Sequence, residues 1–239
     1  MNLSQEIEAH GQLKGIAQFF EDRKMALDVL LHLSDAPEDC PWYPVRELPS
    51  DAAIKQVFAP IAENLPETVR QLGEHCHALF TARAAGNWYL LYLVYLWGSD
   101  YYLWVGGAPA ENPALKLEAK ESGWVLPPEL FSFYQVHYGF GESDTVYAPN
   151  FDDRLWSDSC VKPAHRLETL NNPAAGEGGE VHQPGETLLF LHDGGGDHYG
   201  FMKQTGKVVY YNQSENLLEY SQAGDFYQTV DEYFSEMFY

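Results

Sequence analysis

Basic residues are scarce. Lys and Arg together number 14 against 35 Asp and Glu in 239 residues, a formal net charge of −21. A nucleic-acid backbone or an anionic lipid surface repels such a field, which argues against both as direct partners and leaves a basic protein as the natural complement. Cysteine is scarce too. Cys40, Cys76 and Cys160 stand at wide spacings with no CxxC pair, so a zinc ribbon or dithiol redox site lacks its ligands, and the pattern suits a reduced, cytoplasmic protein. The first residues show no basic stretch followed by an apolar core, so no secretory signal is expected. No apolar run reaches the roughly 20 residues of a bilayer-spanning helix. The most apolar stretch, Trp88 to Val105, is broken at Gly98, Ser99 and Asp100 and reads as a buried aromatic helix or strand pair. GxSxG, Walker and HExxH motifs are all absent.

What is present fits a folded chain: 45% of residues are apolar and 21% charged. The segment GGAPAENP, Gly106 to Pro113, concentrates structure-breaking residues and is the expected linker between two domains, residues 1–110 and 111–239. The acidity is uneven, with net charges of −7 and −14 on the two sides. The first region reads as mainly helical. Ile16, Phe19, Phe20 and the stretch Arg23 to Leu33 place apolar residues at three- and four-residue spacing. Ile54, Val57, Phe58 and Ile61 do so again, as do Val69, Leu72, Cys76 and Leu79 behind Pro66. His75, Cys76 and His77 are adjacent, and side chains about 100° apart on a helix cannot grip one ion.

The second region reads as α+β. Leu130, Phe133, Tyr134 and His137 form a helical face after Pro127-Pro128, with Gly139 as a stop signal. Behind the Gly-rich loop AAGEGGE, the runs ETLLFLH, HYGFMKQ and KVVYYNQ are strand-like, separated by DGGGD and TG. Such short turns make an antiparallel meander. The closing segment DFYQTVDEYFSEMF puts Phe226, Val230, Tyr233, Phe234 and Met237 on one face behind a cap at Asp225.

Three of these strings, in order, resemble the SUKH superfamily over roughly residues 115–239. ESGWVLPPELFSFYQVHYGF is similar to its opening, a Leu-Pro pair followed by a short aromatic helix. LLFLHDGGGDHYGFMKQTGKVVYYNQ is similar to its central strands, and the approach to the last helix at Ala223-Gly224-Asp225-Phe226 is similar to its closing pattern. Tyr138-Gly139 departs from the more usual Asn-Gly. The resemblance implies an antiparallel sheet flanked by helices, and a bacterial immunity protein that occludes the active domain of a cognate polymorphic or contact-delivered toxin. It implies no catalytic residue, metal or cofactor.

The residues themselves add two candidate sites. GESDTVYAPNFDDRLWSDS gathers Glu142, Asp144, Asp152, Asp153 and Asp158 beside Tyr147, Phe151 and Trp156, which fits either the aromatic anchors and charged rim of a protein interface or, as expected in so acidic a chain, a solvated loop with its aromatics turned into the core. HDGGGDH gathers His192, Asp193, Asp197 and His198, acceptable ligands for zinc or manganese in a metal-dependent hydrolase. The three glycines and flanking aspartates give a simpler account as a tight turn. A regulatory scaffold with an endogenous partner is the third reading.

Overall fold

The computed structural model describes residues 14–18, 20–21, 25–96, 100–110, 113–142, 159–162, 167–176, 181–193, 195–222 and 224–238. The fold is α+β. Its helices are α1 (residues 14–18 and 20–21), α2 (Ser50–Phe58), α3 (Pro66–His75), α4 (Pro113–Glu121), α5 (Pro128–Tyr134) and α6 (Phe226–Glu236). The strands are β1 (Leu27–His32), β2 (Cys76–Ala84), β3 (Asn87–Leu96), β4 (Asp100–Gly107), β5 (Phe140–Glu142), β6 (Ser159–Val161), β7 (Glu168–Thr169), β8 (Ala174–Gly176), β9 (Val181–His182), β10 (Thr187–Asp193), β11 (His198–Met202), β12 (Val208–Asn212) and β13 (Leu217–Tyr220). They join one sheet in the order β1-β2-β3-β4-β5-β6-β10-β11-β12-β13-β8-β9, with β7 paired to β10. Every pair is antiparallel except β13 with β8. Among the described residues no helix is long and apolar enough to cross a membrane.

The apolar run from Trp88 is a strand pair because β3 is buried on both faces. Leu90, Tyr92 and Val94 join the main core, while Tyr89, Leu91 and Leu93 join a second cluster with Ile16 and Phe20 of α1. A strand covered on both sides shows no polar alternation, which is why its sequence pattern is ambiguous. The turn Ala85-Gly86, with both φ angles positive (49° and 81°), closes the β2–β3 hairpin. The main core lies on the other face, where α2, α3, α5 and α6 supply Phe58, Leu72, Phe133 and Phe226 against the sheet.

The mainly helical reading of residues 1–110 needs correction. The helix expected to run on to Leu33 gives way to β1, which pairs with β2 from Leu27↔Ala84 to His32↔Phe80; Phe19 and Arg23 lie outside the described residues. The stripe Val69–Leu79 likewise changes from α3 to β2 at Cys76. Local spacing suited a helix, but pairing with a neighbouring strand decided the outcome. Gly106 and Gly107 are no linker either. They end β4, and a Cβ on Gly106 would stand 2.4 Å from the His137 ring, one on Gly107 2.3 Å from the Tyr138 carbonyl oxygen. Pairing and packing run across residue 110. Trp104, Val105 and Gly106 pair with Glu142, Gly141 and Phe140. Asp231 of α6 accepts from the Glu67 and Thr68 amides (3.2 and 2.7 Å), capping the start of α3.

The later elements follow the expected pattern. β10, β11 and β12 form the meander, extended by β13. Asp225 caps α6 by accepting from the Gln228 amide at 2.9 Å. Gly139, at φ 87°, follows the short α5.

The close approach at Gly106 yields a first test. Gly106→Ala forces the His137 ring to move and destabilises by about 1–3 kcal/mol, as overpacking does. Gly15→Ala, at an exposed position of α1 with nothing within 4 Å of the new methyl, is neutral or stabilises by roughly 0.5–1 kcal/mol. Urea midpoints of the two variants check the contrast.

Candidate functional site

The HDGGGDH segment is the β10–β11 hairpin, and its carboxylates are occupied by the turn. Asp193 Oδ1 accepts from the amides of Gly195 (2.9 Å) and Asp197 (3.0 Å). Asp197 Oδ1 accepts from the Gln213 amide (2.8 Å), and its Oδ2 accepts from the Tyr210 hydroxyl (2.5 Å). Gly196 has φ 102°, which a side chain would strain. His192 and His198 meet edge to face at 4.5 Å between ring centroids. Burial, then the neighbouring His192 and Lys162, push His198 down to about 3 against the opposing pull of Asp197. Among the described residues no three His, Cys, Asp or Glu side chains are grouped to hold a metal. The turn chemistry accounts for this motif.

Negative charge gathers at two further places, and their physics differs. A groove of about 650 Å³ between α3, α5 and α6 is lined by Glu129, Ser132, Asp225, Tyr227, Asp231 and Glu232, among others. Asp225 and Asp231 cap α6 and α3, and Glu129 lies in the first turn of α5. Carboxylates at helix N-termini stabilise the fold by roughly 0.3–1 kcal/mol each, so most of the groove's acidity has a structural cause.

The other end of α6 has no such account. Glu232 and Glu236 are four residues apart on its exposed side, a like-charge spacing that destabilises a helix by roughly 0.2–0.5 kcal/mol. Glu236 also adds negative charge where the helix dipole is already negative. Tyr233 of α6 packs on Tyr199 of β11 (6.2 Å between centroids), and Tyr199 packs on its cross-strand partner Tyr210 (5.1 Å). Burial raises the Tyr199 phenol, and Glu236, Asp193, Glu232 and Asp197 raise it further. Both the hairpin and the α6 carboxylates therefore act on one ring. None of these four carboxylates joins an ion pair among the described residues.

Of the expected interface residues, Glu142 sits at the end of β5 opposite Trp104 and is half-buried. Asp144, Asp152, Asp153, Trp156 and Asp158, with Tyr147 and Phe151, lie outside the described residues. The face around Tyr199 was missed because its members come from β10, β11, β12 and α6; only the strand alternation Tyr199, Phe201 and Val208, Tyr210 hinted that these tyrosines share the α6 side of the sheet.

A buried polar pair was missed as well. His137, fully buried, bonds the Tyr92 hydroxyl through Nε2 (2.7 Å) and the Gly107 carbonyl through Nδ1 (3.2 Å). A carbonyl only accepts, so Nδ1 carries the proton and Nε2 accepts from Tyr92. Burial pushes His137 down to about 4, against the opposing Gly107 bond. The pair satisfies the polar atoms of this part of the core.

Comparison with protein-family models, curated proteins and solved structures finds no match to this chain.

The two depressed histidines set a pH dependence. Unfolded imidazoles take up protons near 6.5, whereas His137 and His198 in the folded protein wait until about 4 and about 3. Between those values the unfolded chain binds more protons, so stability is full above pH 6.5 and falls as pH drops. His137 accounts for a loss of about 3 kcal/mol by pH 4. Urea unfolding from pH 7.5 to 4 shows this slope. It flattens in His137→Gln, which keeps an acceptor for Tyr92 but cannot protonate.

Proposed function

We propose that the protein is an immunity-type inhibitor, which binds a cognate toxin with a basic surface and occludes its active domain without chemistry of its own. The observation that carries this reading is the gathering of carboxylates about the Tyr199, Tyr210 and Tyr233 rings: Asp197 accepts from the Tyr210 hydroxyl, Asp193 accepts from the Asp197 amide, and Glu232 and Glu236 stand one and three residues from Tyr233 on α6. At Glu232 and Glu236 the charge is set against local stability, which marks a surface selected for something other than folding. A net charge of −21 steers a basic partner toward it and speeds encounter. The resemblance of residues 115–239 to SUKH immunity domains supports the same reading, and so does the use of the HDGGGDH carboxylates as turn acceptors.

The acidic segment Glu142, Asp144, Asp152, Asp153, Trp156 and Asp158 belongs to this proposal as a steering element. The test is co-expression with the product of the adjacent gene. Rescue of growth and co-purification of the two chains are expected; a chain that neither rescues nor binds that product is not its immunity protein. In stopped-flow mixing of the pair, reversing charge at Asp152, Asp153 and Asp158 slows association by about tenfold at low salt and flattens its salt dependence. An unchanged rate removes this segment from the steering field.

A further inference from the structure

Beyond the first turns of α6, its side of the sheet presents partly exposed tyrosines beside carboxylates. Tyr199 and Phe201 of β11, with Val208 and Tyr210 of β12, point toward α6. The first turns of α6 cover the inner pair, since Phe226 stacks near Phe201 at 6.0 Å. In its last turn Tyr233 packs on Tyr199, and Tyr199 and Tyr210 remain partly exposed. Their rings lie 5.1 Å apart, tilted by 53°, and Tyr233 meets Tyr199 at 65°. Partly exposed aromatic rings offer surface on which a flat cation can stack. Asp193 and Asp197 stand on the hairpin side, Glu232 and Glu236 on the helix side.

We propose that the partly exposed sheet face at Tyr199 and Tyr210, bordered by Asp193, Asp197, Glu232 and Glu236, receives an arginine side chain of the partner protein. This rests on the inhibitor reading and names where and how that partner is gripped. Arginine fits better than lysine. A guanidinium stacks flat on a phenol ring while its edge donates to carboxylates, whereas an ammonium is a compact and strongly hydrated point charge. The hydrogen bonds already made by Asp193 and Asp197 hold these carboxylates in place. The insertion also relieves the repulsion between Glu232 and Glu236, so a charge arrangement unfavourable in the free protein becomes favourable in the complex.

The probes are tetra-arginine amide and tetra-lysine amide, titrated into the full chain and followed by amide NMR shifts. Tetra-arginine shifts the β11 and β12 amides around Tyr199 and Tyr210 and binds at least about fivefold tighter than tetra-lysine of equal charge. Tyr199→Leu, which retains an apolar side chain, weakens tetra-arginine by about tenfold. Glu236→Gln, an exposed change that does not threaten folding, weakens it by about two- to threefold and raises the thermal midpoint of the free protein. Equal binding of the two peptides, shifts centred elsewhere, or no response to either substitution overturns the proposal. Growth rescue separates the two levels. Rescue without arginine binding at Tyr199 leaves the inhibitor reading standing and removes this surface. Arginine binding there without rescue keeps the surface and removes the inhibitor reading.

Discussion

Phe140 holds the two ends of the sheet together. It begins β5, a strand of three residues that bridges β4 to β6 and, through β6, to the β10 meander. Its ring touches Phe58 of α2, Tyr92 of β3, Trp104 of β4 and Phe234 of α6, and stacks nearly parallel on His137 at 5.2 Å. Strands this short contribute little pairing of their own, so aromatic packing on one face supports the bridge. The polar members of the cluster satisfy each other, because Tyr92 donates to His137 and His137 donates to Gly107. A neutral imidazole is therefore a condition of sheet continuity, and the two glycines that end β4 leave room for it and for the Tyr138 backbone.

Acidic residues play two opposite parts in this protein. Asp225 and Asp231 sit where helix N-termini present unpaired amides, and each supplies the acceptor that the helix lacks. Asp231 does so across 163 residues of chain, tying α6 to α3. Asp193 and Asp197 serve the β10–β11 turn in the same spirit. Glu232 and Glu236 offer no comparable service. Glu232 accepts only from the exposed Gln228 side chain (2.9 Å), and both lie toward the negative end of their helix. Sorting carboxylates by whether they help or oppose local structure separates those the fold explains from Glu232 and Glu236, which it does not.

Much of the C-terminal half was legible in its sequence. Pro127-Pro128, the Gly-rich hairpin and Asp225 each act through local geometry, and each marks the boundary where it was read. The N-terminal half was less legible because its decisive interactions are distant. Leu27–His32 carries helix-compatible spacing, yet β2 claims it as an edge strand. The strand character of Cys76–Ala84 depends on a hairpin with β3 that no local propensity announces. Gly106-Gly107 looked like a break because glycine composition alone does not distinguish a flexible joint from a tight approach. The Tyr199 face depends on which strands adjoin and where α6 stops, both outcomes of tertiary packing.

The position of α6 joins these strands of reasoning. Its N-terminal half is fixed three ways: by the Asp225 cap, by Phe226 against Phe133, Phe190 and Phe201, and by the reach of Asp231 to α3. Its C-terminal half is held by Phe234 against Trp104 and Phe140, which is also the cluster that maintains the sheet bridge. Glu232 and Glu236 thus stand on a helix too firmly anchored to yield to their mutual repulsion, a cost of only a few tenths of a kcal/mol against several buried aromatic contacts. A rigid support keeps like charges close to one aromatic surface, as the proposed arginine site requires. Preorganisation of that kind removes much of the ordering cost from binding, and it requires the apolar face of α6 to be as deeply packed as its outer face is charged.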